Sequence, residues 1–307
     1  MLTRSILTGL FLGVVAAAAA DPALLRMLPP EPQMVAGLDV ERARDSVFGR
    51  RILAEMKDED ESFRKLVDST GFDPRRDLRE VAMGVSGLGE QSRAVVAIRG
   101  TFDGARIGRF LEAEGGQKVV YRGVEIWKGK QSKGEEGFAF LNGTLAVFGA
   151  DALVRQAVDR HLGGAAGVEG ALAARASDWS GRGDAWFVSG VPLGAMGRGP
   201  GGLVPGGLPV DVIREAAVGV RLGSVVEVSG ELAMRSAQDA TALADVVRFM
   251  VSMLRSNTAQ PGAAELSKIA DSLQLGVSGD QMKFSVAVSE EQLDRLLGSR
   301  TKRAARR

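Results

Sequence analysis

One stretch of the chain has the spacing of a phosphate-binding turn. Residues 197–202 read GRGPGG, a formal G-x-G-x-x-G. A dinucleotide site needs that turn directly after a strand and opening a helix, so that the amides at the helix start hold the phosphates. Pro200 sits inside it and LVPGGLP follows, so the stretch reads as a long functional or flexible loop, not as a nucleotide site. His161 is the single histidine. A Ser-His-Asp triad or a histidine metal site therefore lacks raw material, and at a predicted helix C-terminus the imidazole complements the helix dipole. No serine lies in G-x-S-x-G and there is no P-loop. Without cysteine or a second histidine, zinc finds no ligand set.

Carboxylates are plentiful but dispersed. Asp39 and Glu41 lie at a strand-to-helix junction, where capping accounts for them. Asp58, Glu59, Asp60 and Glu61 form a run without the glycine and alternate spacing of a calcium loop. A carboxylate pair distant along the chain would leave no mark, so a hydrolase remains a third reading. No catalytic, cofactor-binding or metal-ligating residue is singled out, and the expectation is a protein that is not an enzyme and holds no cofactor.

The elements that would position any site come next. The N-terminus combines Arg4, an apolar stretch and a run of alanines before Asp21, the pattern of a signal peptide cut near Ala20. The rival is an uncleaved anchor. Removing Arg4 with the leader leaves basic and acidic residues equal at 38 each, which argues against nucleic acid as the partner. Aromatic residues are only 5% of the chain, which argues against stacking platforms for bases or sugars. The last eight residues hold five basic ones, a tail able to touch anionic lipid. Exported, periplasmic or extracellular, with inner-membrane anchoring if the leader stays, is the expected location.

Periodicity predicts helices and strands in a repeated order. QMVAGLDV is a strand, with Asp39 capping a helix that carries Phe48, Ile52 and Met56 on one face. Gly71 ends the following helix and DPRRD caps one more turn. EVAMGVSG and RAVVAIRG form a hairpin, and Asp103 caps the helix of Ile107, Phe110 and Leu111. KVVYRGVEIWKG and GFAFLNGTLAVFG follow, the latter turning at Asn142-Gly143, where both residues tolerate positive φ. A helix from Asp151 turns Leu153, Val154, Ala157 and Val158 inward and stops before Gly163.

The order then begins again. AWFVSGVPL answers QMVAGLDVE, with Gly190 in the place of Gly37; REAAVGVRLG answers REVAMGVSG; VVEVSGELAM answers VVAIRGTFDG, with Gly230 for Gly100. A longer helix puts Leu243, Val246, Val247, Met250 and Leu254 on its apolar face. LQLGVSGDQMKFSVAVS answers GFAFLNGTLAVFGA, and Ser289 and Gln292 have capping-box spacing. The fold class is α+β: two diverged repeats, each a mostly antiparallel sheet covered by helices. Separate domains and one continuous curved sheet both fit. The divisions are a leader (1–20), a linker (21–32), a first repeat (33–164), an Ala/Gly-rich connector (165–183), a second repeat (184–298) and a basic tail (299–307).

The stretch EPQMVAGLDVERARDSVFGRRIL, with TGFDPRRDLREVAMGVSG after it, resembles a group of uncharacterised exported bacterial proteins that open on a proline, a short strand and G-x-D. The resemblance covers mainly the first half. It implies a secreted α+β protein without known activity and carries no catalytic residue. The expected role is non-catalytic: binding another macromolecule, such as an envelope protein, or a structural part there. The alternative is a periplasmic carrier of apolar ligands or lipids, suggested by the Met-rich VVRFMVSML, since methionine adapts to irregular ligands.

Overall fold

The computed structural model describes residues 20–50, 61–128, 136–196, 210–256, 263–289 and 291–292. Residues 1–19 of the leader, the GRGPGG stretch, Ile52, Met56, Asp58 to Asp60 and the basic tail lie outside the described residues.

Short polar side chains set the helix starts. Asp21, Asp39, Asp73 and Asp103 each accept a backbone N–H at the head of a helix: α1 (Pro22–Met27), α2 (Val40–Asp45), α4 (Pro74–Asp77) and α5 (Gly104–Ala113). The helix α3 (Glu61–Thr70) precedes α4 and ends at Gly71, whose φ of 71° is the left-handed stop read from sequence. Later helices are α6 (Asp151–Gly163), α7 (Gly170–Arg182), α8 (Ala237–Ser256) and α9 (Ala263–Asp271). The predicted capping box closes in both directions, Ser289 N–H donating to Gln292 Oε1 and Gln292 N–H to Ser289 Oγ.

The strands are β1 (Met34–Asp39), β2 (Leu78–Ser86), β3 (Arg93–Gly100), β4 (Gln117–Tyr121), β5 (Val124–Lys128), β6 (Glu136–Asn142), β7 (Leu145–Ala150), β8 (Ala185–Ser189), β9 (Ile213–Leu222), β10 (Val225–Met234), β11 (Gln274–Ser278) and β12 (Gln281–Ser289). They form one 12-stranded sheet in the order β11-β12-β10-β9-β8-β1-β2-β3-β7-β6-β5-β4, with every neighbouring pair antiparallel. The choice between two domains and one sheet is thereby settled. The halves meet where β1 pairs with β8, Met34 opposite Ser189 and Leu38 opposite Ala185. Outward from that seam both halves run in the same order, β1-β2-β3-β7-β6 on one side and β8-β9-β10-β12-β11 on the other. The duplication read from sequence is therefore a duplication in space. The first half adds the β4–β5 hairpin at its outer edge.

The main core lies under α1, α6 and α7, where Val35, Ala82, Val95, Ala97, Ala139, Val147, Val188 and Ala217 are buried. Small residues decide this face. Ala82 and Gly84 let α1 approach, and a Cβ on Gly84 would meet Pro29 and Leu28. Gly219 similarly receives the Trp179 ring of α7. Val81, Met83 and Val85 occupy the other face, half-buried, as does Val218. A second core under α8 holds Leu243, Ala240 and Ala244 against Ile213, Ala216, Met234 and Met282.

Five expectations need correction. The linker 21–32 contains α1, which buries Leu24 and Leu28 completely. Asp21 caps it and Pro22 starts it, the same local chemistry that was legible at Asp73. Gly190 does not replace Gly37, because it falls one residue past β8 while Gly37 is mid-strand. The Asn142-Gly143 turn forms where expected without positive φ. The Asn142 side chain accepts from Thr144 N–H instead, an Asx turn. In α8 only the first turns are buried, for Val246, Met250 and Leu254 are exposed. The stretch 165–183 carries α7, whose Trp179 is in the main core.

Candidate functional site

Across the sheet from the main core, α3 and α5 roof the first half, and under them lies a cavity of about 440 Å³. Its floor is Leu78 of β2, Ile98 of β3, Trp127 of β5, Phe138 and Phe140 of β6 and Phe148 of β7. Its roof is Leu66 of α3 with Ile107 and Leu111 of α5, and Phe72 and Phe102 close it between helix and strand. Strand alternation places these groups. In β6, Phe138 and Phe140 point one way while Ala139 points to the main core. In β3, Ile98 faces the cavity while Ala97 is in the main core.

Aromatic contact organises the wall. Phe72 and Phe102 lie 5.6 Å apart, Phe102 and Phe140 5.5 Å, and Phe138 meets Phe140 edge-on at 4.7 Å. Gly108 brings α5 down onto Trp127: a Cβ there would stand 2.6 Å from the indole. Outside, the roof is tied by Lys65 to Glu114 at 2.5 Å, both groups well exposed, an ion pair of small worth. The roof is thus held mostly by the apolar groups that line the cavity.

Among the described residues only two charged ones line it, Lys128 at the end of β5 and Glu136 at the start of β6, on adjacent strands. Lys128 lies 3.3 Å from Asp151, which Arg155 also binds at 2.9 Å. Burial pushes the Asp151 carboxyl up, but hydrogen bonds from Arg155 and Lys128 outweigh it and hold the group below its ordinary range. The Lys128 ammonium is therefore engaged with a carboxylate, unlike a nucleophilic lysine.

The residues weighed in the sequence fall elsewhere. His161 is in the last turn of α6, at the dipole's negative end as expected. Asp39 caps α2 and binds Arg42, and Glu41 faces Arg44 at 4.0 Å. Among the described residues no three His, Cys, Asp or Glu side chains gather into a metal-sized cluster. The cavity residues were missed because scarcity of aromatics was read across the whole chain. Sixteen aromatic residues are present, and six of them, Phe72, Phe102, Trp127, Phe138, Phe140 and Phe148, meet at this one place. The F-A-F alternation of β6 was the available signal. The Met-rich helix that suggested apolar ligands is not part of the cavity; it leaves Phe249, Met250, Met253 and Leu254 exposed on α8.

Fold and site together define an α+β protein with a single antiparallel sheet and an apolar cavity under two helices. No protein-family model and no curated protein sequence matches the chain. Solved structures do. Crystal form III of TP0453, a Treponema protein, has a TM-score of 0.54 at 10% identity, covering 92% of this chain and 99% of that one. Forms IV and I give TM-scores of 0.52 and 0.51, each at 11% identity over 92% of this chain and 98% of the other. At that identity the likeness is one of fold. Among the described residues no helix is long and apolar enough to cross a membrane.

Proposed function

We propose that the protein binds an apolar small molecule, of the acyl-chain class, in the cavity under α3 and α5, and acts as a non-catalytic carrier. The observation that carries the reading is the lining: thirteen of its fifteen described residues are apolar or glycine, and the two charged ones adjoin on β5 and β6. A chain-like ligand with one polar terminus matches that arrangement. The volume of about 440 Å³ lies within the range of small-molecule pockets, about 300–1,000 Å³. The leader sequence supports work outside the cytoplasm.

The test uses protein purified without detergent and a dansyl-labelled hexadecanoate, with Trp127 as the energy donor in the cavity wall. Saturable energy transfer that unlabelled hexadecanoate displaces, and that Trp127→Phe reduces, is the expected result. Absence of saturable transfer, together with no lipid adduct in native mass spectrometry, would overturn the reading.

A second reading, contact with another macromolecule, draws on the exposed Phe249, Met250, Met253 and Leu254 of α8, a large apolar group to leave uncovered. A photo-crosslinker at residue 249 that captures the same defined partner as one at residue 253, but not one at the exposed Arg122, would support it.

A further inference from the structure

A second concave site lies on the opposite face of the sheet, between α1, the β6–β7 turn and the end of α6. Its volume is about 280 Å³, and its polar lining is Arg26, Arg99, Asn142, Thr144 and His161. Among the described residues no carboxylate lines it. Instead the available groups are hydrogen-bond donors. Arg99 pairs with Asp21, yet its buried Nε has no partner. Asn142 spends its Oδ1 accepting from the N–H and hydroxyl of Thr144, which leaves its amide N–H groups. Among the described residues Arg26 and His161 have neither hydrogen-bond nor ion-pair partner.

One more cation stands beside the pocket. Arg160, next to His161, is 5% exposed and donates to the carbonyl of Met27, which itself lines the pocket. It has no ion pair among the described residues. The nearby Asp159 attracts it but is hydrogen-bonded by Arg122 and Tyr121. A buried donor without an acceptor is destabilising, and guanidinium groups are suited to charged oxygens in pairs.

We propose that this pocket binds a small oxyanion, a phosphate ester or a carboxylate, held by Arg26 and Arg99 with His161 and Asn142 as further donors. The residues come from α1, β3, the β6–β7 turn and α6, so the site exists only in the folded chain. It is separated from the apolar cavity by the sheet and does not depend on the carrier reading.

The chain's single histidine makes the test direct, because its imidazole proton resonances need no assignment. They are followed at fixed pH while inorganic phosphate, glycerol phosphate or acetate is added, with sodium chloride at matched ionic strength as reference. A saturable shift with at least one oxyanion, beyond that of chloride, is expected, and the oxyanion that saturates at lowest concentration assigns the class. Arg26→Gln, on the exposed side of α1, is expected to weaken the response about tenfold. Arg99→Gln should do the same, and if losing its bond to Asp21 prevents folding, the Arg26 variant decides alone. Shifts that match chloride for all three probes, or unchanged affinity in Arg26→Gln, would overturn the proposal.

Discussion

Trp186 lies over Gly37. The two residues stand opposite one another across β1 and β8, at the seam between the halves of the sheet, and a Cβ on Gly37 would fall 2.5 Å from the indole ring. The ring, itself 5% exposed, fills the gap that the glycine leaves. The same device recurs one half outward, where Gly230 faces Phe284 across β10 and β12. Gly37→Ala should therefore push Trp186 off its site and cost roughly 1–3 kcal/mol of overpacking. Urea unfolding gives the number, and Trp186→Phe in the same chain should return part of it. An alanine variant as stable as the parent would show that the seam yields easily.

Filling the cavity should separate binding from stability. Leu111 projects from α5 into the lining and is half-buried. Leu111→Trp adds bulk where a ligand would lie, without removing a buried polar group. Affinity for the labelled hexadecanoate is expected to fall about tenfold or more, a loss of about 1.4 kcal/mol, while the thermal midpoint stays or rises. Equal affinity in the variant would place the probe somewhere else.

Local chemistry was legible in the sequence, and convergence was not. Asp39, Asp73 and Asp103 act on amides two or three residues away, so their caps could be read from spacing alone. The repeated strand order was legible because each strand keeps its own alternation. The missed helix α1 carried the same signals, a capping aspartate and a first-turn proline, but its six residues are too few to show a period. The cavity was hidden for a different reason. Phe72, Phe102 and Phe140 come from three separate segments, and only the fold of α3 and α5 over the sheet brings their rings together. The oxyanion pocket has the same origin: Arg26, Arg99 and His161 are ordinary surface residues until α1 and α6 pack side by side.

The approach of α5 to the sheet depends on one residue. Gly108 is buried against Trp127, and a methyl group there meets the far edge of the indole at 2.6 Å. A helix interior otherwise favours alanine over glycine by about 1 kcal/mol. Gly108→Ala thus sets helix propensity against overpacking of about 1–3 kcal/mol. Overpacking should win because a contact of 2.6 Å lies far inside van der Waals range, so the indole or α5 must shift. The expected outcome is a net loss of stability and a red-shifted tryptophan emission as the indole is displaced toward solvent. A gain in stability with unchanged emission would mean that α5 lifts freely from the sheet.

Glu80 makes stability depend on pH in a direction that can be worked out. It stands opposite Asp39 on one side and Arg99 on the other, and it accepts the Asp21 N–H at 3.1 Å. Burial raises its pKa, the Asp21 and Asp39 carboxylates add to that, and the Asp21 amide and Arg99 only partly offset it, so the net shift is upward. Below the ordinary glutamate value of about 4.3 the group is protonated in both states and costs nothing. Between that value and its raised value in the folded chain, the native state keeps a proton that the unfolded chain has released. Stability contributed by Glu80 therefore falls as pH rises through this window and stays at its lower level above it. Glu80→Gln keeps an oxygen to accept from Asp21 and removes the ionisation. Its denaturation midpoint should exceed the parent's at about pH 7 and approach it at about pH 4, the range over which the ionisation penalty disappears. The same difference between variant and parent at both pH values would show that the carboxylate is not destabilised by its burial.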